Sequence, residues 1–134
     1  MQTNEAEQAA VRAAEEWLKL VDAGNFEESW EHAAAVFKSG ISEKDLFKSG
    51  VSKQQWQSSL RRIQDSLGKA VSRRLKSRLY TEVLPWEPDA EYVVLEYETT
   101  FERQMNRTES VTMVRECDGE WRVYGYRFMV STSN

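Results

Sequence analysis

The sequence predicts an α+β fold: N-terminal helices over about residues 4–68 pack on a curved four-stranded antiparallel sheet over about residues 70–130. Three observations carry this prediction. Apolar side chains recur every three or four residues as far as Gly68 and every second residue from Val71 onward, the spacings at which a helix and a strand bury one side. Four of the six glycines, Gly24, Gly40, Gly50 and Gly68, stand where helices would stop. The alternating runs beyond residue 70 are joined by short loops, which makes neighbouring strands antiparallel. At 134 residues, with five each of Trp, Tyr and Phe, the chain can fill a core without disulfides or metal, so residues 1–134 read as one domain.

Each element has its own signature. Ala10, Ala13, Ala14, Trp17, Leu18 and Val21 form one apolar stripe on a helix of about residues 4–23, closed by Gly24. Asn25 is placed to N-cap a second helix with Glu28 at its third position, and Phe26, Trp30, Ala33, Ala34 and Phe37 supply the stripe. Phe37-Lys38-Ser39-Gly40-Ile41-Ser42 then recurs ten residues later as Phe47-Lys48-Ser49-Gly50-Val51-Ser52. Each copy has the grammar of a helix stop and restart, so the duplication predicts one short added helical turn. Trp56, Leu60, Ile63 and Leu67 stripe a last helix over about residues 52–67.

Val71, Leu75, Leu79 and Val83 then alternate with polar residues, predicting a long first strand with these four inward. Pro85 and Pro88 bracket the following loop. On the second strand Val93, Leu95, Tyr97, Thr99 and Phe101 oppose Val94, Glu96, Glu98 and Thr100. A turn near Gln104 leads to a third strand around Glu109 to Cys117, and Asp118-Gly119 is a two-residue hairpin signal. Trp121, Val123, Tyr126 and Phe128 define the last strand, whose pattern Gly125 interrupts as a bulge would.

Charge is segregated along the chain: residues 1–37 carry a net −6, residues 38–78 a net +8 and residues 79–134 a net −6. The basic middle reads either as an anion- or nucleic-acid-binding strip, through Lys69, Arg73, Arg74, Lys76 and Arg78, or as the neutralising partner of its acidic neighbours. The second reading is favoured because glycine and aromatic residues are not interleaved with the basic ones, so no nucleic-acid partner is expected. Cys117 has no second cysteine to pair with. No apolar run approaches the about eighteen residues of a membrane span.

Several short motifs together carry a family resemblance. They are Glu16-Trp17-Leu18-Lys19-Leu20-Val21-Asp22-Ala23-Gly24, Ser29-Trp30, Val51-Ser52-Lys53-Gln54-Gln55-Trp56, Ser72-Arg73-Arg74-Leu75-Lys76-Ser77, Glu91-Tyr92-Val93-Val94-Leu95 and Gly119-Glu120-Trp121-Arg122-Val123. In these the chain resembles the bacterial domain-of-unknown-function family 4019 over most of residues 9–128. The resemblance implies a nuclear-transport-factor-2-like or cystatin-like α+β cone, and export or a periplasmic location. The chain departs from the family in showing no leader and in carrying the ten-residue duplication. The family has no established catalytic residues, so none is carried over.

Arg73 shares the alternation of Val71 and Leu75 and should point inward, where a guanidinium needs a partner. An anionic ligand, Asp22, a glutamate of the first helices or a helix C-terminal carbonyl could each supply one, and a strand-end bulge would instead place Arg73 in solvent. A small-molecule pocket between helices and sheet would gather Arg73, Tyr97, Trp30 and Trp121. The concave positions offer no inward Asp or Glu, which weighs against acid–base catalysis. His32 lies off its helix stripe and has no cluster of metal ligands around it, so no metal, cofactor or catalytic residue is assigned. The outer sheet face offers Glu96, Glu98, Thr100 and Thr112 to another surface, and Trp86 in the proline-bracketed loop could anchor a partner. The functional expectation is a non-enzymatic binding or protein-interaction domain, in its specific form a sheet-mediated homodimer. The alternative is a small-molecule-binding protein or enzyme using the cavity between helices and sheet.

Overall fold

The computed structural model describes residues 2–33, 53–84 and 90–129. The duplicated segments 37–42 and 47–52, and Trp86 with its flanking prolines, lie outside the described residues. The elements in order are α1 (Gln2–Asp22), α2 (Phe26–Glu31), α3 (Lys53–Leu67), β1 (Ala70–Thr81), β2 (Tyr92–Phe101), β3 (Gln104–Arg115) and β4 (Trp121–Met129). The strands form one antiparallel sheet in the order β1-β2-β3-β4. Helices packed on one face of such a sheet are the expected α+β architecture, consistent with a cone.

The apolar stripes meet as their periods require. Ala10, Ala14, Trp17 and Leu18 of α1 and Trp56 and Leu60 of α3 are buried against Val93, Leu95 and Tyr97 of β2, Val111 and Met113 of β3, and Val123 of β4. At the end of α1, Gly24 takes φ +81°. Its N–H donates to the carbonyl of Val21 (3.0 Å), and the Asn25 N–H donates to that of Leu20 (2.8 Å). These two bonds satisfy carbonyls that a helix end leaves open. Asn25 does not act as expected: its side chain makes no capping bond to α2. The α1–α2 corner is instead fixed from within, through the fully buried Ser29. The Ser29 hydroxyl donates to the carbonyl of Phe26 (2.7 Å) and accepts from Trp56 Nε1 (2.9 Å), while Trp17 Nε1 donates to the Ser29 carbonyl (2.8 Å). One small residue thereby gives both indoles, from two different helices, their hydrogen-bond partners, Trp17 through its backbone carbonyl and Trp56 through its hydroxyl.

The α3 terminus is closed by the turn between β2 and β3. Arg103 donates its N–H to the Leu67 carbonyl (2.8 Å) and its guanidinium to the Asp65 carbonyl (2.7 Å). Gly68, at φ +79°, lies so near Glu102 that an added Cβ would come within 2.7 Å of that side chain.

Strand β1 departs most from its expected pattern. Register shifts occur between Ala70 and Ser72 and between Leu75 and Ser77, and each inserts an unpaired residue. Val71 is turned out at the first, and the second, at Lys76, reverses the phase of the strand. Arg73 and Leu75 face the helices as expected, but beyond the bulge it is Arg78 and Tyr80 that do so. Val71, Leu79 and Val83, expected inward, are exposed. The expected interruption at Gly125 is present as a shift in the β3–β4 register. Strand β3 begins at Gln104, earlier than expected, because Glu102 and Arg103 alone form the turn before it. The Asp118-Gly119 hairpin is wider than a two-residue loop: Glu116 pairs across it with Glu120, and the Gly119 N–H donates to the Glu116 carbonyl (2.8 Å).

Folding pairs the segregated charges. Arg73, Arg74 and Arg78 of the basic middle meet Asp22, Glu109, Glu98 and Glu7 from the acidic segments on both sides.

Candidate functional site

Arg73 extends from β1 across the helix-facing side of the sheet. It is the centre of a network built from five elements when its partners on α1, β2, β3 and β4 are included. Its Nε donates to Glu109 Oε1 (2.7 Å), its Nη1 to Asp22 Oδ2 (2.7 Å), and its Nη2 to both Asp22 Oδ1 (3.1 Å) and Glu109 Oε2 (3.2 Å). Glu109 also accepts from Thr99 Oγ1 at Oε1 and from Tyr126 Oη at Oε2, each at 2.5 Å. The Glu109 side chain is fully buried, that of Arg73 is 15% exposed and that of Asp22 is 36% exposed. Among the described residues the cluster is most open to solvent on its Asp22 side, at the C-terminal end of α1, where a helix favours a cation.

The order of the strands produces this convergence. Tyr97 of β2 stands opposite both Leu75 of β1 and Glu109 of β3, and Arg73 stands opposite Thr99. Burial lowers the pKa of Arg73, but its hydrogen bonds and charge interactions with Asp22 and Glu109 outweigh that and raise it above the ordinary arginine value. Burial, followed by the charge and hydrogen bond of Glu109, holds the Tyr126 hydroxyl well above the usual tyrosine range. Burial and then the charge of Glu15 raise Tyr97, and Arg73 opposes them.

The chemistry available here is limited by saturation. Each Glu109 oxygen accepts two hydrogen bonds, so no lone-pair direction remains for a substrate proton. The neighbouring cavity, lined by Val21, Asp22, Leu60, Ile63, Glu109 and Tyr126 among others, measures about 30 Å³, room for about one water. The sequence reading anticipated Arg73 and named Asp22 among its possible partners, but missed the inward carboxylate. Counting β3 backward in twos from the buried Met113 and Val111 reaches Glu109, a signal that was there to be read.

The four expected pocket residues are not brought together. Tyr97 lies beside the cluster, with a buried hydroxyl that has no hydrogen-bond partner among the described residues. Trp30 packs on the margin of the hydrophobic core. Trp121 lines a separate groove between α1, α2 and β4. Of the expected interface residues, Glu98 is paired with Arg74 (2.5 Å) and Glu96 accepts a long bond from Ser77 (3.5 Å). Thr100 and Thr112 are half-buried on the same outer face. Cys117 is exposed at the β3–β4 turn. Among the described residues no group of three His, Cys, Asp or Glu is placed to hold a metal ion, and no helix is long and apolar enough to cross a membrane.

Helices on one side of a four-stranded antiparallel sheet, with an arginine–carboxylate cluster between the layers, define an α+β protein consistent with the cone class. Within that class the chain belongs to the family described as protein of unknown function DUF4019, which matches residues 13–126. Solved structures agree on the fold. A protein from Catenulispora acidiphila superposes with a TM-score of 0.57 at 12% identity, covering 96% of this chain and 94% of that one. A protein described as a candidate scytalone dehydratase from Novosphingobium aromaticivorans DSM 12444 superposes at 0.54 with 14% identity, covering 98% and 88%. At these identities the likeness concerns the fold alone. No curated protein matches the chain.

Proposed function

We propose that residues 1–134 form one non-catalytic interaction domain, which pairs with a second copy through the sheet face turned away from the helices. The observation that carries this reading is on that face. Leu79 is 60% exposed and begins a row that crosses all four strands through Val94, Thr112 and Gly125. The row is apolar or small along its length, and Gly125 leaves its far end open, with Thr112 Cβ 3.9 Å from where a Cβ would stand. A two-fold axis through this row sets it against itself, as an isologous interface requires. The paired Arg74 and Glu98 then lie at the rim.

Two further observations support the proposal. The free edge of β1 is a poor site for strand addition. It is bulged twice, carries Lys76 at one bulge, and has its Tyr80 N–H taken by Glu7 (3.2 Å), all devices that discourage edge pairing. The saturated interior cluster with its cavity of about 30 Å³ also falls far below the about 300 Å³ at which small-molecule pockets begin. The fold is shared with a protein described as a candidate dehydratase, but a reacting group has no room beside Glu109.

Sedimentation velocity over a wide concentration range tests the proposal. The wild type should sediment as a dimer at high concentration, and Leu79→Lys should sediment as a monomer with an unchanged circular dichroism spectrum. A wild type monomeric throughout, or a dimer indifferent to Leu79→Lys, would overturn it.

A further inference from the structure

On the other side of the molecule from that face, a groove runs between α1, α2 and the start of β4. Its volume is about 380 Å³, within the about 300–1,000 Å³ typical of small-molecule sites. The half-buried Trp121, Leu20 and Ala13 give it an apolar wall above the buried Trp17, Met113 and Val123, and Glu16, Glu28 and Glu120 stand around it. From this combination we propose that the groove binds small hydrophobic cations, meaning a protonated amine on an aromatic or alkyl body. The proposal is independent of the pairing of copies through the outer face.

The charge balance of the rim selects the ligand. An anion would need an available cation, and the groove's one arginine is already committed: Arg122 bonds Glu116 (2.7 Å) and Asp118 (2.9 and 3.0 Å) on the neighbouring turn. His32 stands 4.0 Å from Glu28, with both side chains largely exposed. The Glu16 carboxylate has Lys19 at 3.9 Å, also in open solvent, where such a pair is weak and readily exchanged. The rim therefore presents negative charge beside the apolar wall at Trp121, and an indole attracts an ammonium group besides. A neutral apolar molecule would use the wall alone. A carboxylate of the same shape would meet three glutamates. A macromolecular partner is disfavoured because the concavity is of small-molecule size.

Three probes of similar size separate these cases: phenethylamine, 2-phenylethanol and phenylacetate. Each is titrated into the full chain while the Trp121 indole and Val123 amide signals are followed by heteronuclear NMR. The expected result is saturable binding in the order amine, then alcohol, then acid, with the amine weakened by added salt. The double variant Glu28→Gln, Glu120→Gln changes only exposed side chains and should retain the fold. It should weaken the amine by about five-fold, the effect of losing two exposed charge pairs, and leave the alcohol unchanged. Leu79→Lys should bind the amine as the wild type does, so that failure of the dimer and failure of the groove are told apart. No saturable shift with the amine, equal affinity for amine and acid, or an amine affinity indifferent to the double variant would each overturn the proposal.

Discussion

Arg73 and Arg74 are neighbours on one strand, and each forms an ion pair with a glutamate at close range, yet they face opposite sides of the sheet. The inner pair, Arg73–Glu109, has side-chain exposures of 15% and 0%; the outer pair, Arg74–Glu98, has 72% and 37%. By distance the outer contact is the shorter, 2.5 Å against 2.7 Å, so distance does not rank them. Water does. Outside, solvent screens the attraction and solvates either partner left alone. Inside, the ions have lost their hydration, and each depends on the other and on Asp22, Thr99 and Tyr126 to replace it. The same chemistry is a structural commitment on one face and nearly neutral on the other.

The largest effect should come from breaking the inner pair. Glu109→Ala leaves a guanidinium buried with Asp22 alone and should cost about 3–5 kcal/mol, measured by denaturant unfolding. Glu109→Gln keeps the shape and part of the hydrogen bonding and should cost less. If Glu109→Ala unfolds like the wild type, the cluster does not hold the layers together. Next in size is Ser29→Ala, which strands the Trp56 N–H in the core and should cost about 1–3 kcal/mol. A silent substitution there would mean that the Ser29 hydroxyl contributes nothing to holding the α1–α2–α3 corner.

Tyr126 sharpens the comparison through pH. Its hydroxyl, buried against Glu109, titrates well above the ordinary value of 10.0. A group raised in the folded state contributes stability that is complete below its unfolded pKa and is lost as pH rises above it. The stability gap between wild type and Tyr126→Phe should therefore narrow as pH is carried from neutral past 10. A gap that stays constant would show that folding does not keep this hydroxyl protonated.

The contrast between strands also explains what was legible in the sequence. From Val93 onward β2 is buried in strict alternation, with Val93, Leu95, Tyr97, Thr99 and Phe101 on one side, and its pattern reads directly because no extra residue interrupts the period. β1 has the same period broken by two extra residues. Leu79 looked like core because composition carries no mark of a bulge at Lys76; the bulge is set by pairing with β2, a tertiary event. The cluster was half legible for a related reason. Arg73 stood out as a charge at an apolar position, and Asp22 as a candidate partner at a helix end. Glu109 was missed because its strand was entered too late for its face to be counted, and Thr99 and Tyr126 because a hydroxyl on an apolar face gives no hint of what it bonds. The groove at Trp121 depends on how α1 and α2 meet β4, which no local pattern encodes.

The smallest expected effect is on the outer pair. Arg74→Ala should leave the unfolding midpoint at neutral pH almost unmoved, and added salt should erase what difference there is. The pair should nonetheless be visible in titration. The hydrogen bond from Arg74, and then its charge, hold the Glu98 carboxyl below its ordinary value of 4.5. A depressed carboxyl contributes above its unfolded pKa and loses that contribution as pH falls through the folded one. The Glu98 side-chain resonance should therefore titrate below 4.5 in the wild type and return toward it in Arg74→Ala. A carboxyl that titrates identically in both proteins would mean the contact is not populated in solution, and the outer half of the comparison would be lost while the inner half stood.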